Sequence, residues 1–201
     1  LAAAMVVTAV PATNAQAAST AKLSATKATV YAGSTKTLTV KAPKSWKSVK
    51  VTKVSTSKKS VATVKKTATK KVKVTAVKAG TAKVTVKVTY KKSAKKNAKT
   101  YTKNLTSKIT VKNPTIKVTS DSEIAIGTTT QVKATVKPST AKVTYTTSDE
   151  KIATVDATSG IVTGVATGDV TITATAKNGK KTVTAEQRIS VKKAILKSAV
   201  Q

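Results

Sequence analysis

Two groups of side chains in this sequence have the types and spacing from which chemistry could be built. The first is Lys91, Lys92, Lys95, Lys96, Lys99 and Lys103, gathered in the polar segment KKSAKKNAKTYTKN from Lys91 to Asn104. Ammonium groups at this density attract polyanions, and lysine, a hydrated point charge, suits loose and salt-sensitive attraction better than bidentate recognition. The second is Asp149, Glu150, Asp156 and Asp169, oxygen donors of the kind that calcium takes. Their spacing matches no EF-hand loop or RTX repeat, and a turn or cap role for Asp149 and a corner role for Asp169 are the competing readings. Glycoside hydrolysis would need two acids about 5 to 10 Å apart across a cleft, whereas Asp149 and Glu150 are neighbours in a turn.

Other chemistry is removed by composition. The chain has no Cys and no His, so disulfides, thiol catalysis, Cys-type zinc sites and the commonest general base are all missing. All seven acids lie at or after Asp121, so the first half holds no acid to promote a Lys-Asn crosslink. No catalytic residue is assigned, no enzyme is expected, and calcium on the four acids is the one cofactor considered.

The elements that must carry these residues are strands. Between Ser148 and Ala176 the chain reads as a short apolar run, a turn, a second apolar run, a glycine corner and a strict alternation. Val170, Ile172, Ala174 and Ala176 fall on one face and Thr171, Thr173 and Thr175 on the other. The pattern occurs once more upstream. SKKSVATVKK (57–66) matches SDEKIATVDA (148–157), and VTAVKAGTAKVTV (74–86) matches VTGVATGDVTITA (162–174). The chain is therefore read as two copies of one unit.

Residues 1–18, alanine-rich and ending in the A-x-A site Ala15-Gln16-Ala17, read as a secretory signal peptide truncated at its front. No stretch approaches the ~20 apolar residues of a membrane span. The first copy occupies residues 19–112. Strands flank Ala32-Gly33, another covers Val49 to Val54, and Gly80 opens a strand with Ala82, Val84, Val86 and Val88 inward. The lysine-rich segment Lys91 to Asn104 is expected as a long hairpin tip, followed by a strand from Leu105 to Val111. Trp46, alone of its type, is read as core filling or domain-end packing, with a ligand-stacking platform as the alternative. Asn113-Pro114 marks the junction. The second copy, residues 113–192, has a first strand split into Ile116 to Val118 and Glu123 to Ile126, then strands at Gln131 to Val136 and Val143 to Thr146. Asn178-Gly179 is expected as the centre of a type I′ hairpin turn. Residues 193–201 form a tail.

The net charge of +31 is carried almost entirely by lysine. It predicts attraction to anionic cell-wall polymers or host glycans; lysine on outward strand positions, solubilising the sheet and guarding its edges, is the alternative. Specific nucleic-acid binding is not expected, because no aromatic residues interleave with basic ones as stacking platforms and no helix-turn-helix, zinc or RNP pattern appears.

Many short strands per copy in an exported chain point to immunoglobulin-like β-sandwiches. The segments AIGTTTQVKATV (125–136), VTYTTSDEKIATVD (143–156), SGIVTGV (159–165) and GDVTITATA (168–176) resemble the group 2 bacterial immunoglobulin-like domain of intimins, invasins and other surface proteins. Tyr145 stands where that family usually has Trp. The first copy is similar but diverged, keeping AGSTKTLTV, KSVATV and AGTAKVTV, with Val54 or Ser55 near the place of the aromatic. The resemblance implies an all-β protein of two tandem immunoglobulin-like sandwiches, secreted and held at the bacterial cell surface or wall. Its implied work is adhesion or spacing, with wall polymers, host glycans or surface proteins as partners.

Overall fold

The computed structural model describes residues 20–194, so the expected signal peptide and most of the tail lie outside the described residues. Strands form wherever Val, Ile, Leu or Ala alternate with Thr or Lys. Eight build a first sandwich: β1 (Lys22–Leu23), β2 (Lys27–Tyr31), β3 (Thr35–Lys41), β4 (Lys47–Thr56), β5 (Ala62–Ala68), β6 (Lys71–Ala76), β7 (Gly80–Lys91) and β8 (Thr100–Lys112). One sheet runs β1-β3-β6-β5 and the other β2-β8-β7-β4. β2 pairs parallel to β8, and the remaining ladders are antiparallel. This is the two-sheet arrangement of immunoglobulin-like domains.

Nine strands build the second: β9 (Thr115–Thr119), β10 (Glu123–Ala125), β11 (Thr129–Gln131), β12 (Lys133–Lys137), β13 (Lys142–Thr147), β14 (Ala153–Val155), β15 (Ile161–Gly164), β16 (Gly168–Asn178) and β17 (Lys181–Lys192). The additional strand arises because the segment expected as one strand from Gln131 breaks at Val132. There the backbone N–H donates to Gly160 O instead of to a ladder partner, and β11 joins β15 while β12 joins β9.

The two cores are separate and almost wholly aliphatic. Leu38, Val51, Val72, Val74, Val84, Val86, Val88 and Ile109 are fully buried in the first, and Val132, Val162, Ile172, Ala174 and Ile189 in the second. The expected inward set of β7 is found buried. In the ladders Tyr145 lies opposite Ala174, and at the matching place in the first sandwich Val54 lies opposite Val86. A large ring over a small partner is thus replaced by two medium side chains, which fills the space without an aromatic.

The structure corrects two further expectations. β8 begins at Thr100, so the tip is confined to residues 92–99; Tyr101, Lys103 and Leu105 already lie opposite the inward residues Tyr90, Val88 and Val86. Asn178 is not central in its turn. It pairs with Lys181 as the last residue of β16, leaving Gly179 (φ 58°) and Lys180 as the loop, and Lys180 has no positive φ. That is the dihedral pattern of a type II′ turn, glycine first.

Freed from the turn, Asn178 reaches the other sandwich. Its Nδ2 donates to Ala32 O at 2.8 Å and lies 3.0 Å from Ser34 Oγ, and the residue is 7% exposed. Gly33 (φ 91°) and Gly179 sit backbone to backbone, so that a Cβ on either would overlap the other segment. Glycine is required at both places, by conformation and by the close approach.

Candidate functional site

The long hairpin of β7 and β8 carries the six lysines of interest and two of the chain's five aromatic residues, Tyr90 and Tyr101. The cross-strand pair Tyr90 and Tyr101 closes this hairpin near its tip, on the face that continues the core. Their ring centroids are 5.6 Å apart. Trp46, from the segment leading into β4, stacks on Tyr90 at 3.4 Å with the planes 3° from parallel. Trp46 and Tyr90 are half-buried against the core, in line with the packing reading of Trp46.

The six lysines are not equivalent. Lys91 Nζ donates to Lys96 O at 2.7 Å and so fastens the tip internally. Ser93 Oγ accepts from Lys95 N at 3.2 Å, and Ala98 N donates to Lys95 O at 3.0 Å. Lys92, Lys95, Lys96 and Lys99 are exposed on this folded tip, while Lys103 lies further down β8. The ammonium groups of Lys92 and Lys99 stand 4.9 and 5.8 Å from the Tyr101 centroid, within cation–π range. Between them lies an open cleft of about 320 Å³ lined by Lys92, Lys95, Asn97, Lys99 and Tyr101.

Below the tip, the solvent face of the same sheet carries like charges directly opposite one another. Lys27, Lys108 and Lys83 form a row across three strands; Lys53 lies opposite Lys87, and Lys47 opposite Lys91. The corresponding sheet of the second sandwich mostly places threonine there. Thr175 lies opposite Thr184, Thr173 opposite Glu186 and Thr171 opposite Arg188, although Lys142 faces Lys177.

The four acids are engaged one by one. Asp149 Oδ1 accepts from Lys151 N at 2.9 Å in a turn. Asp156 Oδ1 accepts from Thr158 N, Ser159 N and Ser159 Oγ at 3.1, 2.6 and 2.7 Å. Asp169 Oδ2 pairs with Arg188 Nη2 at 3.1 Å across exposed strand positions. Glu150 is exposed. Among the described residues no group of three or more acids gathers as a cation would require. A further cleft of about 380 Å³ beside β11 holds a single carboxylate, Asp121, which accepts from Thr130 Oγ1 at 2.9 Å.

Hydrogen bonding lowers two of these carboxyls below the ordinary aspartate range: Asp156 chiefly through the Ser159 N–H, and Asp169 chiefly through the Ser190 side chain and then Arg188.

Residues 110–186 match the family model of the bacterial Ig-like domain (group 2). No curated protein matches the sequence. Among solved structures the chain is similar to the C-terminal 282-residue fragment of intimin, solved in complex with the intimin-binding domain of the translocated intimin receptor. Identity is 21% over 86% of this chain and 63% of that one, with a TM-score of 0.34, so the chain spans under two thirds of that fragment. It is also similar to domains 4 and 5 of the S-layer protein SbsC, at 26% identity over 86% and 98% of the two chains and a TM-score of 0.41. Fibronectin(III)-like modules of Clostridium thermocellum CbhA match at 16% identity, 90% and 98% coverage and a TM-score of 0.33. Among the described residues no helix is long and apolar enough to cross a membrane.

The aspartate environments set a pH dependence confined to one sandwich. Because the folded pKa values of Asp156 and Asp169 lie below the unfolded ones, their stabilisation is present above the unfolded values and lost as pH falls through the folded ones. The first sandwich has no carboxylate or imidazole to titrate. Carboxyl NMR titration should find Asp156 below an ordinary aspartate and Ser159→Ala should move it upward; an unshifted Asp156 contradicts the geometry.

Proposed function

We propose, for a chain whose second half carries a group 2 bacterial Ig-like domain, that the protein is exported and works at the bacterial cell surface as a wall-associated spacer or adhesion module. The observation that carries this reading is the joint between the sandwiches. Only Asn113 and Pro114 separate β8 from β9, and Pro114 is buried. The Asn178 amide and the Gly33–Gly179 backbone contact add a second connection, distant in sequence from the first. Two connections restrict the swivelling that one short linker would allow, and a spacer works by holding what it carries at a fixed distance. No catalytic step belongs to this reading.

Asn178→Ala should free the joint while leaving both cores intact, with a loss of about 1–3 kcal/mol for a buried hydrogen-bonded amide. Backbone ¹⁵N relaxation should show the two sandwiches tumbling as one body in the native protein and separately in the variant. Independent tumbling in the native protein would remove the joint from the account.

A second reading is favoured by the lysine rows: the first sandwich binds polyanions such as wall teichoic acid, mucin or glycosaminoglycan. Like charges directly opposite across strands are destabilising, and the second sandwich builds the corresponding ladder mostly with threonine. The chain should be retained on immobilised heparin at low salt and released as salt is raised. Absence of retention at low salt, or retention unchanged at high salt, contradicts this reading.

A further inference from the structure

We infer that the cleft at the tip of the β7–β8 hairpin is a binding site for an anionic polysaccharide, one whose pyranose rings carry carboxylate, sulfate or phosphate. This rests on the reading of the first sandwich as the polyanion-binding part and adds to it a place and a ligand chemistry.

Three observations meet there. The first is an aromatic stack that runs outward. Trp46 and Tyr90 anchor it on the edge of the aliphatic core, and Tyr101, half-buried but outside that core cluster, presents its ring to the cleft. The chain spends three of its one Trp and four Tyr on this stack, in a sandwich whose buried positions hold no aromatic residue. The second is charge gathered at the ring. Lys92 and Lys99 sit over the Tyr101 ring, and Lys95 completes the rim of a tip already closed by the Lys91–Lys96 hydrogen bond. The third is the absence of any acid in the sandwich's sequence, which leaves these ammonium groups without an internal carboxylate.

Lys92 and Lys99 are exposed, and their flexible stems let the ammonium groups move from over the ring to its edge; the ring then suits a ligand that is apolar on one face and anionic at its edge. A pyranose with an acidic substituent has this form: its C–H face lies along an aromatic ring and its charge meets the lysines. Asn97, on the same rim, adds an amide for hydroxyl groups. Single-stranded nucleic acid would call for successive stacking platforms, whereas the cleft presents one. A lipid surface would call for large apolar side chains at the tip, where only Ala94 and Ala98 are apolar.

The test uses the full chain, with Trp46 fluorescence or calorimetry as the readout, at one ionic strength. The probes are heparin and polygalacturonate oligosaccharides, which have rings and charge; polyphosphate, which has charge alone; and dextran, which has rings alone. Both acidic glycans should bind and dextran should not. Tyr101→Ala leaves the net charge unchanged and should weaken the acidic glycans about tenfold while changing polyphosphate little. Tyr101→Phe should restore glycan binding, which separates loss of the ring from loss of fold. Lys92→Gln with Lys99→Gln should weaken the glycans at least about tenfold. Lys65→Gln with Lys73→Gln, the same loss of charge on the other sheet, should not. Failure of every polyanion to bind the native chain would overturn the polyanion reading itself. Binding that responds equally to both lysine pairs and ignores Tyr101→Ala would overturn the site while leaving that reading standing.

Discussion

The first sandwich is a fold held together against its own charge. Its sequence has lysines and no acids, so each lysine row on its surface is repulsive and nothing inside the module offsets it. A like-charged pair directly across two strands costs on the order of 0.2–1 kcal/mol, whereas a fully buried Val, Leu or Ile contributes about 1.5–3 kcal/mol. With Leu38, Val51, Val72, Val74, Val84, Val86, Val88 and Ile109 all buried, apolar burial outweighs the repulsion and fixes the fold. Electrostatics then sets how much of that stability is left. The arrangement tolerates the charge without being strengthened by it.

The same hairpin has been put to different use in the two sandwiches. In the second, β16 and β17 close tightly through Gly179 and Lys180, which stay exposed, while Asn178 at the base of the turn is buried against the first sandwich. In the first, the tip between β7 and β8 is longer, basic, and backed by stacked rings. A short tip with a glycine can meet another backbone closely; a long lysine-rich tip cannot be buried without desolvating several ammonium groups. Tip length and composition thus separate a joint from an exposed cleft on one common scaffold.

Much of this was legible in the sequence because strand burial has a period of two. The inward set Ala82, Val84, Val86 and Val88, the split first strand of the second copy, and the corners at Gly80 and Gly168 follow from alternation and from glycine's backbone freedom. The extension of β8 back to Tyr101 carried the same signal, since Tyr101, Lys103 and Leu105 keep the period, but the lysine density of the segment masked it. Asn178 was not legible, because Asn-Gly reads locally as a turn and its actual partner lies in the other sandwich. The Trp46–Tyr90–Tyr101 stack was hidden for a related reason: its members come from three strand regions that only the β4–β7–β8 ladder brings together. Of the four acids that suggested a cation site, Asp149 and Asp156 accept hydrogen bonds within their own turns and Asp169 pairs across the ladder with Arg188, partners that spacing along the chain does not show.

The most direct measurement is the thermal midpoint of the first sandwich, followed by the fluorescence of Trp46, the only tryptophan in the chain, as sodium chloride is raised. If repulsion among unmatched lysines is the constraint on this module, screening should raise the midpoint as the Debye length contracts from about 30 Å at 0.01 M salt to below 8 Å. The midpoint should also stay level between pH 3 and pH 7, roughly the interval in which carboxylates and imidazoles titrate. A midpoint that ignores salt, or that falls with acid as carboxylate-dependent folds do, would contradict the account.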